Sequence, residues 1–351
     1  MSGGMYLKRS ARIWYLYFAI ILLVFMCFLV NFGVWCPSEN EQKLENLLSR
    51  YREQIKEKDQ KYTEVKDSLR KSEKKVEDLI LYLEVRGKNN RVFDKSMPVI
   101  YAITPTYYRG VQKAELTRLS QTFLHLPNFH WIVIEDSSSK TQLVADFLSQ
   151  CGLSYTHLNI LTPKEVKLKP DDPNWLKPRG VLQRNVGLSW LRKNLDPEVQ
   201  PGVVYFADDD NTYDLKIFEQ MRKTKVVSVW PVGLVGGLRF ERPIVKNGKV
   251  TGWFTYWKPD RPFALDMAGF AVNLQLFFTY PEVEFSNYVK RGYQESTVLS
   301  GMMVTLDDLE PLADNCTKVL VWHTRTEAPK LTSEDKMKRK FGHGSDPNVE
   351  V

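Results

Sequence analysis

Val203-Val204-Tyr205-Phe206-Ala207 runs straight into Asp208-Asp209-Asp210. An apolar run with β-branched and aromatic residues reads as a buried strand, and the abrupt change to carboxylates marks its end. Three like charges that close repel one another unless a cation stands among them. Oxygen-rich carboxylate sites suit Mg²⁺, Ca²⁺ or Mn²⁺. An Asp-x-Asp at a strand end, holding a divalent ion against a diphosphate, stabilises a departing nucleotide. Helix caps and solvated turns also collect aspartates, so the place of this run in the fold decides its meaning. The run lacks the glycine and distant glutamate of an EF-hand loop.

Outward from this strand, PVIYAIT (98–104), WIVIED (131–136) and VSVWPV (227–232) read as further buried strands. Between them AELTRLSQTFLHL (114–126), TQLVADFLSQ (141–150), VLQRNVGLSWLRKNL (181–195) and DLKIFEQMRKT (214–224) carry helical spacing. That alternation predicts an α/β domain with a mostly parallel sheet covered by helices. Ligands of such sheets bind beyond the carboxyl ends of the strands. The residues there are polar: Thr104-Pro105-Thr106-Tyr107, Glu135-Asp136-Ser137 and the three aspartates.

Other constellations join them. Arg179 and Arg184 flank the start of a predicted helix, where anions are favoured; they suit phosphate and carboxylate oxygens or are simply surface arginines. VLVWHTRTE (319–327) reads as a strand opening into His323, Thr324 and Arg325, which either donate to phosphate or play structural parts. Glu295 precedes an apolar helix and is either its cap or a general base.

The 351 residues, 43% hydrophobic, suffice for one core of about 250 residues and an extension. A net charge of +7, dispersed among nearly as many acids, lacks the basic face of a nucleic-acid binder. Four cysteines, Cys27, Cys36, Cys151 and Cys316, have no zinc or redox spacing. Residues 13–35 carry no charge and are long enough to span a membrane once; the competing reading is a cleaved signal peptide. Lys8, Arg9 and Arg12 before the span leave residues 1–12 cytosolic and the remainder lumenal.

Residues 36–92 are poor in glycine and proline. Steps of four and three from Leu44 reach Leu48, Tyr51, Ile55, Lys58, Tyr62, Val65, Leu69, Ser72, Val76, Leu79 and Leu83, the seam of a parallel coiled-coil stem. A monomeric spacer helix is the alternative. Cys36 is placed for a bridge between two such chains or for a free thiol. The domain proper occupies 93–351, and Asn315-Cys316-Thr317 is a glycosylation sequon.

TPTYYR (104–109), VLQRN (181–185), YFADDDNTY (205–213), VSVWPVGLVGGLRFE (227–241), RPFALDMAGFAVNL (261–274), GYQES (292–296) and VLVWHTRTE, in this order, resemble the glucuronyltransferases of glycosyltransferase family 43. The likeness runs from about Val99 to Glu327 and returns at GSDPNVEV (344–351). It implies a GT-A fold (Rossmann-like, mostly parallel), a Mn²⁺ ion, UDP-glucuronate as donor, a homodimer and a type II Golgi membrane topology. The implied acceptor is a galactose-terminated glycan on a proteoglycan core protein, Galβ1-3Galβ1-4Xyl, with N-acetyllactosamine as the acceptor of sister enzymes. It also implies roles. Asp210 binds the metal, with Asp208 and Asp209 in support; Tyr107 and Asp136 hold uracil and ribose. Arg179, Arg184, His323 and Arg325 bind diphosphate and glucuronate. Glu241, Arg261 and Asp266 grip the acceptor, Trp257 and Phe263 stack on it, and Glu295 is the base.

Overall fold

The computed structural model describes residues 6–35, 39–88, 94, 96–168, 172–173, 176–327, 329–346 and 349. Two compact units divide the chain, Met1–Lys75 and Val76–Val351. The N-terminal helices are α1 (Tyr6–Trp35) and α2 (Glu39–Lys88). Side chains of α1 are described from Trp14 to Val30, and all are exposed. Among the described residues no helix is long and apolar enough to cross a membrane. The charge-free stretch 13–35 lies within α1, and its side chains are described only over 14–30.

Helix α2 is unbroken, as expected where no proline interrupts, and Glu-to-Lys pairs at i,i+4 (Glu39–Lys43 and Glu57–Lys61) support its exposed face. Seam residues Leu44, Leu48, Tyr51, Ile55, Tyr62, Val65, Leu69 and Val76 are all exposed. Leu79 and Leu83 lie outside the described side chains, and Cys36 outside the described residues.

The larger unit is built on a seven-stranded sheet. Its strands are β1 (Val99–Thr106), β2 (Phe129–Glu135), β3 (Tyr155–Asn159), β4 (Gly202–Phe206), β6 (Val227–Val229), β10 (Phe270–Asn273) and β11 (Leu309–Pro311), in the order β11-β6-β10-β4-β1-β2-β3. All neighbours are parallel except β10, which runs antiparallel to β4 and β6. Side chains alternate between two faces. Ile103, Ile132, Val204 and Phe206 pack with Leu188 and Leu191 of α5 (Val181–Asn194). Ile100, Trp131, Val203 and Tyr205 pack with Leu116, Leu119 and Phe123 of α3 (Gln112–Phe123) and Phe218 of α6 (Leu215–Met221). Helix α4 (Gln142–Gln150) adds Val144 and Leu148 to the second face. Both faces are therefore covered, which explains the near-continuous apolar strands.

A second sheet of five strands has the order β5-β12-β7-β8-β9, with β5 (Thr212–Tyr213), β7 (Val232–Gly233), β8 (Phe240–Lys246), β9 (Lys249–Phe254) and β12 (Val321–Trp322). The β8–β9 hairpin turns on Asn247 (φ 52°) and Gly248 (φ 75°), a two-residue turn in which both positions need the left-handed region. The strand expected in VLVWHTRTE shrinks to two residues. They pair with β5 and β7, and this carries His323 and Thr324 to the end of the aspartate run.

Candidate active site

Strands β1, β2 and β4 all end at one edge, and a cavity of about 430 Å³ opens there. Tyr107, Asp136, Arg179, Arg184, Asp208, Asp209, Asp210, His323 and Arg325 all line it. Register accounts for part of this: Thr106 sits opposite Glu135, so the residues following each strand emerge side by side. The Asp136 carboxylate accepts the Thr162 N–H at 2.7 Å and pairs with Lys167 at 3.3 Å. Tyr107 is 42% exposed, its ring turned to no core.

The three aspartates have different surroundings. Asp208 pairs with Arg184 at 2.6 Å. Asp209 is buried, pairing with Arg109 at 2.8 Å and accepting Thr106 Oγ1 at 2.7 Å. Burial, opposed by Arg109 and Thr106, pushes its pKa up to about 6. The backbone carbonyl of Asp210 accepts Arg118 Nη2 at 2.8 Å and Thr324 Oγ1 at 2.7 Å. The Asp210 carboxylate has neither hydrogen bond nor ion pair among the described residues, and burial followed by the charge of Asp208 raises its pKa. A carboxylate destabilised by desolvation and a like charge fits a hard divalent cation. Among the described residues no group of three or more His, Cys, Asp or Glu side chains could hold an ion alone, so substrate or water oxygens would complete the shell.

Arg184 reaches Asp208 because Gly180 lets α5 begin where it does. Gly180 is left-handed (φ 71°), and a Cβ there would stand 2.8 Å from Arg184 Nη1 and 2.9 Å from Pro105. Arg184 Nη1 donates to the Arg179 carbonyl at 2.8 Å, while its buried Nε lacks a partner among the described residues. Arg179 is exposed at the rim. His323 Nδ1 shares a hydrogen bond with Asp266 at 3.3 Å. That bond, against burial and with the charges of Asp266, Asp208 and Asp210, raises its pKa to about 9, so the ring is cationic at neutral pH.

Glu295 lies in the first turn of α7 (Gln294–Gly301) and is partly buried. It does not line the cavity. Burial first, then Asp266, raise its pKa to about 7, against its own N–H, Arg261 and Arg184. Arg184 thus acts electrostatically on both the cavity and Glu295.

Of the remaining expected residues, Asp266 and Arg261 act electrostatically on Glu295, and several have their polar groups already engaged. Asp266 Oδ1 accepts the Ala268 N–H at 3.0 Å and Oδ2 bonds His323; burial opposes but does not reverse the lowering of its pKa by these partners. Arg261 is buried and donates to the carbonyls of Lys258 (3.1 Å), Gly292 (3.1 Å), Trp257 (3.3 Å) and Leu265 (3.5 Å). Phe263, expected to stack on a sugar, is only 3% exposed and packs in the core with Trp253, which leaves it no free face. Glu241 is buried, accepts Thr255 Oγ1 at 2.5 Å, and has a pKa raised by burial. Trp257 stays partly open beneath Arg261, Lys258 and Arg291, whose charged groups lie 5.0, 5.1 and 5.2 Å from its ring centre. Asn315 is exposed in a left-handed turn, beside the buried Cys316.

The family profile described as "Glycosyltransferase family 43" matches residues 119–327. This chain belongs to glycosyltransferase family 43. Galactosylgalactosylxylosylprotein 3-beta-glucuronosyltransferase 3 of Mus musculus is 54% identical over 266 residues, covering 73% of this chain and 79% of the mouse protein. Galactosylgalactosylxylosylprotein 3-beta-glucuronosyltransferase 1 of Rattus norvegicus is 55% identical over 259 residues, covering 73% of this chain and 76% of the rat protein. Among solved structures, S. aureus TarS 1-349 in complex with UDP-GlcNAc is 16% identical with a TM-score of 0.42, covering 68% of this chain and 63% of that one.

Around the family 43 site stand residues to which sequence reasoning gave no role of their own: Thr106, Arg109 and Glu115 behind Asp209, and Lys167 beside Asp136. Thr106 and Arg109 were within reach, since both fall in the TPTYYR run that closes β1. Glu115 carried no signal, being one acid in an amphipathic helix.

Proposed function

We propose that this family 43 chain transfers glucuronic acid from UDP-glucuronate to the 3-hydroxyl of a terminal galactose, Galβ1-3Galβ1-4Xyl of the proteoglycan linkage region being its acceptor, in a GT-A-type domain. The observation that carries this is the open Asp210 carboxylate in a cation-lined cavity, with Glu295 held near pKa 7 within electrostatic reach of the same Arg184. The printed names of relatives at 54% and 55% identity support the choice of sugar and acceptor.

A bound Mn²⁺, held by Asp210 with Asp208 in support, would supply Lewis-acid stabilisation of the diphosphate. Tyr107 and Asp136 bind the uridine end. Arg179, Arg184, His323 and Arg325 bind diphosphate and glucuronate, and gain in interaction energy as the C1–O bond breaks and its electron pair moves onto UDP. Glu295 takes the proton of the galactose 3-hydroxyl while that oxygen bonds to C1. Attack opposite the leaving group turns an α-linked donor into a β1,3-linked product. An acceptor panel tests the reading: Galβ1-3Gal should be glucuronylated faster than N-acetyllactosamine. The reverse order would move the chain to the other acceptor, and no UDP release with either would reject the transferase reading.

The N-terminal features complete the proposal. Residues 13–35 are read as a signal anchor placing the domain in the Golgi lumen, and the exposed α2 seam as half of a parallel dimer. Full-length protein should cross-link as a dimer on oxidation through Cys36; a monomer under those conditions and in sedimentation would oppose the pairing. Asn315, exposed, is the expected site of N-glycosylation, and an unchanged gel mobility after glycosidase would exclude it.

A further inference from the structure

Arg109, just past the end of β1, has no part in the donor chemistry, yet four groups converge on it. Its guanidinium pairs with Asp209 at 2.8 Å and with Glu115 in the first turn of α3. It donates to the Tyr107 carbonyl at 3.1 Å and lies 4.5 Å from the centre of the Tyr107 ring. Both Asp209 oxygens are engaged, Oδ1 by Arg109 and Oδ2 by Thr106, whose Oγ1 in turn accepts Gln112 Nε2 at 3.1 Å. Thr106, Gln112, Glu115 and Asp209 are all buried.

We infer that Arg109 is a positioning residue of the donor site: it braces the Tyr107 ring at the nucleoside end and fixes Asp209 as a buried anchor, joining that end to the acidic strand end in one frame. The inference rests on the reading of the cavity as a UDP-sugar site. A guanidinium fork can serve two carboxylates, a carbonyl and a ring face together, whereas a lysine ammonium is a compact point charge that cannot span them. Asp209 is thereby held in place on the cavity wall between Asp208 and Asp210, both of its oxygens engaged by Arg109 and Thr106.

The test is Arg109→Lys in the full chain, titrated with UDP in Mn²⁺ and again in EDTA, with KM measured separately for donor and acceptor. The expected result is UDP binding weakened about tenfold in both media, a parallel rise in donor KM and an acceptor KM unchanged within about twofold. A merely structural role would leave UDP affinity at the wild-type value or shift both KM values together, and either result would overturn the assignment. Should Arg109→Lys fail to fold, Glu115→Gln keeps the guanidinium but removes one anchor. It should weaken UDP about threefold, and wild-type affinity there would equally overturn the assignment. Wild-type protein that does not bind UDP at all would sink the donor reading itself, and this inference with it.

Discussion

Arg184 and Asp208 meet at 2.6 Å on the cavity wall, and the same guanidinium acts electrostatically on Glu295. Arg184 emerges from the first turn of α5, is buried, and adds its charge to the surroundings of Glu295. Arg184→Lys keeps the charge but loses the planar fork. Donor KM should rise about tenfold while UDP alone binds less than about threefold more weakly, because Arg184 is read as the partner of the glucuronate carboxylate, a group UDP lacks. Steady-state kinetics beside UDP titration make the comparison.

The pH dependence follows from Glu295. Its carboxyl titrates at about 7, lifted chiefly by burial, and only the ionised form takes a proton. Turnover should therefore be present above that value and fall about tenfold per pH unit below it. A kcat profile at saturating donor and acceptor measures this. A plateau extending down to about pH 5.5 would mean a carboxylate with an ordinary pKa or a different base.

Asp210, whose carboxylate has no hydrogen bond or ion pair among the described residues, is the proposed metal ligand. Asp210→Asn should weaken Mn²⁺-dependent UDP binding by about tenfold or more, while binding in EDTA stays close to wild type. Calorimetric titration in both media separates the two.

Much of the fold was legible because its strands are buried on both faces. β1, β2, β4 and β6 announce themselves as short apolar runs, and α3 to α6 as periodic ones. Most of the second sheet was not legible: β5 and β7 are two residues each, too short for any pattern, and of the strand read in VLVWHTRTE only Val321–Trp322 forms. The β8–β9 hairpin did carry a signal, the Asn247-Gly248 pair, that went unread. At the site, residues following strand ends were readable from chemistry alone. Arg261 and Phe263 were named by resemblance; what their side chains bury and bond depends on tertiary packing between segments distant in sequence. Burial of Glu295, which sets its pKa, is invisible in a sequence for the same reason.

Gly180 makes a stability claim. Its left-handed backbone and close approach to Pro105 and Arg184 leave no space for a methyl group. Gly180→Ala should cost about 1–3 kcal/mol and weaken donor binding as Arg184 is displaced. Thermal melts with and without UDP record both effects.

The central claim is that Glu295 is the base in a displacement at a sugar nucleotide. Its most direct test is glucuronide formation by Glu295→Gln at saturating UDP-glucuronate, Mn²⁺ and Galβ1-3Gal, alongside UDP affinity. The account predicts turnover reduced by about three orders of magnitude or more with UDP bound as tightly as by wild type. Turnover within about tenfold of wild type would contradict it.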